Sequence, residues 1–140
     1  VIGTLPNGTE FTAINSKNGW IQFKEPVAFG PDLPWVPITT GPLTGWVHGS
    51  LVTTSFKDRW SDEKQGGHFT VYTEPVETSK RAAKWTHGQW WSPANDMGAE
   101  KILACHEGWL KVDLVDGKKT PHTGWVHPEN QCPNQVTTCP

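Results

Sequence analysis

Cys105-His106 sets a thiol beside an imidazole, the two groups from which thiolate hydrolysis is built. Consecutive residues of a strand point to opposite faces, so this pair cannot pass a proton between them, and we read no nucleophilic catalysis into it. Six histidines raise the question of a metal. His68, His87, His106 and His122 have no partner at ligand spacing, and His48 and His127 each follow Trp-Val, so no metal site is expected. His48 and His127 fall on the same strand face as Trp46 and Trp125, two residues back, where each is expected to donate a hydrogen bond that closes a turn. The remaining chemistry is that of aromatic rings. Among nine tryptophans, Trp35, Trp90 and Trp91 stand in stretches without a counterpart elsewhere in the chain, suited to stacking on a sugar or clamping a peptide.

Four of the other tryptophans belong to a repeat. Thr-Gly-Trp-Val-His stands at 44–48 and again at 123–127, and each copy is preceded by a second Gly-Trp word, "NGWIQF" at 18–23 and "EGWLKV" at 107–112. The unit is therefore a pair of strands, each opening at Gly-Trp, with alternating runs upstream at 8–15 and 99–105. Trp20, Trp46, Trp109 and Trp125 are expected to be scaffold, since a Trp that opens a strand buries much area in a fold too small for a deep core. "GSLVTT" (49–54) and "PENQCP" (128–133) read as a short turn leading to a closing segment.

From Trp20 to Trp46 the chain takes 26 residues, and from Trp109 to Trp125 only 16. The excess lies in "EPVAFGPDLPWVPITTGP", whose prolines argue for a stiff extended loop rather than an inner strand. The later copy opens with "HFTVYTEPVETSKRAAKW" (68–85), whose end corresponds to residues 1–5. The first copy thus lacks an opening strand, and we expect residues upstream of Val1 in the natural protein, or another segment, to fill that place. "SKRAAKW" (79–85) is the best helical stretch, one or two turns at most.

Fourteen Gly and twelve Pro are dispersed along the chain, and short Thr-, Val- and Trp-bearing runs lie between turn signals, as in an all-β protein. A net charge of −2, with both signs spread throughout, offers no footprint for nucleic acid or an anionic membrane. No apolar run approaches the ~18 residues of a membrane span. Residues 55–67, charged and ending in Gly-Gly, read as a linker that Phe56 and Trp60 pack down for part of its length.

In order and wording, Leu5-Pro6-Asn7-Gly8-Thr9, Gly19-Trp20 and Gly45-Trp46-Val47-His48 resemble the bacterial SH3-type module, and Gly108-Trp109 and Gly124-Trp125-Val126 repeat the match. The resemblance covers residues 1–54 well and 68–132 less well. "THGQWWSPANDMG" (86–98) stands where the family has a short Gly-Thr turn, and the first copy lacks the family's opening Val-Arg-x-Gly-Pro word. It implies two small SH3-like β-barrels in tandem, at 1–54 and 68–140, the second with a Cys-containing tail. It further implies a non-catalytic binding module of the cell envelope, periplasmic or secreted, with cell-wall peptide, glycan or a protein as partner and no cofactor. The alternative is a spacer or targeting part of a larger cell-wall hydrolase, a family that keeps its Cys in a separate domain with a word absent here.

Three cysteines leave one unpaired. If 109–115 and 122–127 form a hairpin, facing residue numbers sum to about 235, which sets Cys105 opposite about position 130 and brings Cys132 within reach; Cys132 with Cys139 is the rival. Either pairing implies an oxidising compartment.

Overall fold

The computed structural model describes residues 9–29, 37–39, 44–54, 56, 67–86 and 99–131. These form nine strands: β1 (Glu10–Lys17), β2 (Trp20–Phe29), β3 (Pro37–Thr39), β4 (Thr44–His48), β5 (His68–Tyr72), β6 (Arg81–Thr86), β7 (Ala99–His106), β8 (Trp109–Val115) and β9 (Pro121–Val126). Short 3-10 helices follow β4 (Gly49–Leu51) and β9 (Pro128–Asn130). The fold is all-β, in two antiparallel sheets. In the first, β1 runs along one edge of β2 while β4 and β3 share the other; the second has the order β6-β5-β9-β8-β7.

The repeated words form equivalent hairpins. Asn18 and Gly19 take φ of 52° and 79°, and Glu107 and Gly108 take 46° and 84°. Two successive left-handed residues make the two-residue turn whose twist matches that of the flanking strands, and Asn-Gly is its preferred pair. Ile21 then faces Val47 and Leu110 faces Val126, the same register in both halves. Even a bulge recurs. The β1–β2 ladder slips between Ala13 and Asn15, and β7–β8 slips between Ile102 and Ala104, 89 residues later in each case.

Two local expectations are corrected. The proline-rich stretch supplies strand, since β2 runs on through Pro26 to Phe29 and β3 begins at Pro37. Pro26 is tolerated because it falls where the ladder slips between Lys24 and Val27, and Pro37 opens a three-residue edge strand; neither position has to donate to a regular ladder. "SKRAAKW" forms strand β6, not a helical turn. From Ala82 on, Ala83 and Trp85 pack against the core while Ala82, Lys84 and Thr86 are exposed, a period of two.

Both halves drain into one core. Phe11, Ala13, Ile21 and Phe23 from the first join Phe69, Val71, Ile102, Leu110, Val112, Leu114 and Val126 from the second. Burying each large aliphatic side chain contributes roughly 1.5–3 kcal/mol, so a merged core gains what two thin ones could not. Polar contacts fix the junction. Ser16 Oγ accepts from the Cys105 amide at 3.0 Å and donates to the Cys105 carbonyl at 3.3 Å, and these two residues occupy equivalent places in the repeat. The Ala99 amide donates to the Thr54 carbonyl at 2.9 Å, and Thr53 Oγ1 donates to the Ala99 carbonyl. Phe56, within the stretch read as a linker, is 8% exposed, lies 4.9 Å from the Phe69 ring and bridges to Gln131.

Gly49 is the tightest point of this junction. A Cβ there would stand 1.8 Å from the Ile102 carbonyl oxygen, a backbone atom that cannot swing aside. Gly49→Ala should therefore force the halves apart and lower stability by about 3 kcal/mol in chemical denaturation, the scale of an overpacked core. A loss below about 0.5 kcal/mol would mean that the junction is not rigid.

Candidate functional site

Each copy of Trp-Val-His ends its strand in the same way. The His127 side chain accepts at Nδ1 from the Glu129 amide, 3.1 Å away, capping the 3-10 helix. His48 Nδ1 accepts from the Ser50 amide at 3.4 Å, with Ser50 Oγ 2.7 Å from the same nitrogen. The imidazoles do close turns, but as acceptors rather than donors, because the first amides of a short helix lack carbonyl partners. His127 Nε2 lies 3.0 Å from Glu77 Oε1, which fixes the ring at both ends. An edge-to-face tryptophan completes each unit: Trp20 on His48 at 5.4 Å and 86°, Trp109 on His127 at 4.8 Å and 82°.

The carbonyl of the turn glycine is satisfied differently in the two halves. Gly19 O accepts from the Gly49 amide at 2.8 Å. The position equivalent to Gly49 is Pro128, which has no N–H, and there Gln131 Nε2 reaches across to Gly108 O at 2.7 Å.

Covering separates the halves further. The four tryptophans expected as scaffold divide: Trp109 is 8% exposed and Trp125 half-buried, whereas Trp20 and Trp46 are 47% and 44% exposed. The cause is β5. It pairs with β9 at Val71–Val126 and Tyr72–Trp125, and the Tyr72 ring meets Trp109 edge-on at 5.4 Å. Among the described residues no strand lies against the corresponding edge of β4, which pairs with β2 alone.

A second polar cluster lies at the β8–β9 turn. Asp116 Oδ1 accepts from the Lys118 and Thr120 amides, both at 2.9 Å, and Oδ2 lies 3.0 Å from His122 Nε2. The His122 bond, then the Thr120 and Lys118 amides against a partly opposing loss of hydration, hold the Asp116 carboxyl below its ordinary range. Trp85 stands edge-on to His122 at 5.0 Å and packs on Phe69 at 5.7 Å, linking this turn to the core. Tyr72, Trp85, Asp116 and His122 were not singled out from the sequence. Asp116-Gly117 was legible as a turn word; nothing in the spacing joined it to His122 or Trp85.

Trp35, Trp90, Trp91, Cys132 and Cys139 lie outside the described residues. Cys105 is 8% exposed while the His106 side chain is 58% exposed, so the two do point apart. The hairpin register sets Leu110 against Val126, one residue from expectation. The chain reverses at Glu107-Gly108, however, so Cys105 belongs to β7 and faces Leu110 rather than continuing the hairpin toward position 130. Among the described residues no three His, Cys, Asp or Glu side chains gather as metal ligands, and no helix is long and apolar enough to cross a membrane. Comparison with models of protein families, with curated proteins and with solved structures gave no match.

A carboxyl held below its ordinary range adds stability that is complete above pH ~4 and is lost as pH falls through the folded-state value. Asp116→Asn should lower the melting temperature at pH 7 and flatten its decline between pH 4 and 2. An unchanged acid limb in thermal melts would remove Asp116 from that role.

Proposed function

We propose that this chain is a non-catalytic binding module of the bacterial cell envelope, made of two SH3-like units. It takes up cell-wall peptide or glycan, or a protein partner, through the loop aromatics Trp35, Trp90 and Trp91. The observation that carries this reading is the duplication: turn, register, bulge, Trp–His contact and capped 3-10 helix recur in both halves. Such a frame supports binding because its variable segments are anchored by paired strand residues. Residues 30–36, with Trp35, join Phe29 to its partner Pro37, and residues 87–98, with Trp90 and Trp91, join the ends of β6 and β7. Rigid ends limit the entropy a recognition loop loses on binding.

Pull-down on purified peptidoglycan tests this. The chain should be retained, and Trp35→Ala or the pair Trp90→Ala with Trp91→Ala should reduce retention at least about tenfold with little change in melting temperature. No retention of the parent chain would remove the cell wall as ligand and leave the protein partner.

The spacer reading draws its support from the merged core and the Ser16–Cys105 junction, which make one stiff block of the two halves. Under it, the same substitutions lower the melting temperature and leave binding untouched.

A periplasmic or secreted location belongs to the same proposal. What supports it is the set of three cysteines, since Cys105 with Cys132, or Cys132 with Cys139, would each imply an oxidising compartment. A bridge to Cys132 would close a loop worth roughly 3 kcal/mol by chain entropy. Mass mapping of non-reduced digests should find Cys132 joined to Cys105 or to Cys139; three free thiols would defeat both pairings and the oxidising compartment with them.

A further inference from the structure

Both ring nitrogens of His127 are engaged, by groups that ask opposite things of its protonation state. Nδ1 accepts from the Glu129 amide at 3.1 Å, which requires a lone pair there, so the ring proton sits on Nε2 and donates to Glu77 Oε1 at 3.0 Å. A second proton can only go to Nδ1, where it meets the amide hydrogen head-on. We propose that His127 is a pH-responsive clasp. Protonation in the ordinary imidazole range, about pH 6.5, exchanges its bond to the Glu129 amide for one to the Glu129 carboxylate and loosens the end of the second half. The inference stands apart from the envelope reading, since it uses no loop aromatic and no ligand.

The receiving group is already in place. Glu129 Oε2 lies 4.0 Å from Nδ1, just beyond hydrogen-bond reach, and its side chain is 62% exposed, so a bond rotation brings it in. Glu77 keeps hold of Nε2 in either state and, facing a cation, holds it more strongly. The ring itself is 14% exposed, with the Trp109 indole against it at 4.8 Å. Ahead of Trp109, Glu107 turns to His106 at 3.9 Å. Extending the Val71–Val126 register by one residue sets the uncharged Thr70 opposite His127, with His68 two residues further along the same face of β5. On that face of β8, Lys111 stands opposite Trp125. Two carboxylates against one lysine favour the charged ring, and the amide opposes it.

What the clasp controls follows from the segment it caps. Asn130 Nδ2 donates to the His68 carbonyl at 3.0 Å and Gln131 Nε2 to the Gly108 carbonyl at 2.7 Å, and both residues are buried. Their own amides return to the His127 and Pro128 carbonyls, so these two closing side chains hang from the residue that titrates. The first half supplies the contrast. His48 caps its 3-10 helix through the same nitrogen, but beside it stands Ser50 Oγ at 2.7 Å, a hydroxyl that donates to a neutral ring and accepts from a charged one. That half is closed by the Gly49 amide on Gly19 O, a main-chain bond with no titrating partner. One end responds to the proton and the other does not.

Amide hydrogen exchange of the full chain, followed by NMR as protection factors from about pH 7.5 to about pH 5.5, tests this. Protection at Glu129, Asn130 and Gln131 should fall about fivefold, the effect of one capping bond, while protection at Gly49 holds. The His127 ring and the Glu129 amide should titrate with a single midpoint. Glu129→Gln should move that midpoint to lower pH, because it withdraws a carboxylate from the charged ring. The substitution keeps the shape of an exposed side chain, so misfolding cannot imitate the shift. His127→Asn, which sets an accepting oxygen near the place of Nδ1 and cannot titrate, should abolish the fall in protection. Protection that stays level across the range, or that falls equally at Gly49, would overturn the proposal. So would a fall that survives in His127→Asn, since His68 would then be the sensor.

Discussion

Two residues in the left-handed region, at Asn18-Gly19 and again at Glu107-Gly108, set the geometry on which both halves are built. The turn reverses the chain in the smallest space, places a tryptophan at the head of the next strand, and aims the glycine carbonyl at the segment that follows the Trp-Val-His strand. The 3-10 helix can then close back on the turn that started the unit, with the imidazole as cap and the indole against it. Shift the turn by one residue and tryptophan, histidine and core positions all exchange faces.

Given that turn, the inner and outer faces of the strands sort themselves by alternation. Ile21 and Phe23 face inward with Val47, and Leu110, Val112 and Leu114 face inward with Val126. What alternation does not determine is how two such units meet. Here β1 lies beside β7, with Ser16 bound to the backbone of its own repeat counterpart, and the closing segment of the first half supplies Thr54 and Phe56 to the second. The halves are alike in wiring and unlike in what they bury.

The hairpins were legible because their signals are local: Asn-Gly, Gly-Trp and strict alternation all act within six residues. The prolines misled because a proline's effect depends on whether its neighbour asks for a donor, and that depends on a ladder slip between strands distant in sequence. "SKRAAKW" misled because its alanines carry little pattern, and tertiary pairing with β5 decided the matter. The roles of His48 and His127 were half visible. Spacing put them at turns, while only three-dimensional geometry tells an accepting nitrogen from a donating one. The contrast between Trp20 and Trp109 was invisible in the repeat itself, since identical words carry no record of whether a neighbour covers them.

Pro128 has a mechanical corollary. By removing the backbone donor used at Gly49, it hands the closing of the second half to the Gln131 amide, whose residue also forms the lone bridge to Phe56. The second half is therefore closed through a side chain with rotamer freedom to lose, a softer latch than the fixed main-chain bond of the first half. The first half, latched by main chain, packs Gly49 directly against the Ile102 carbonyl.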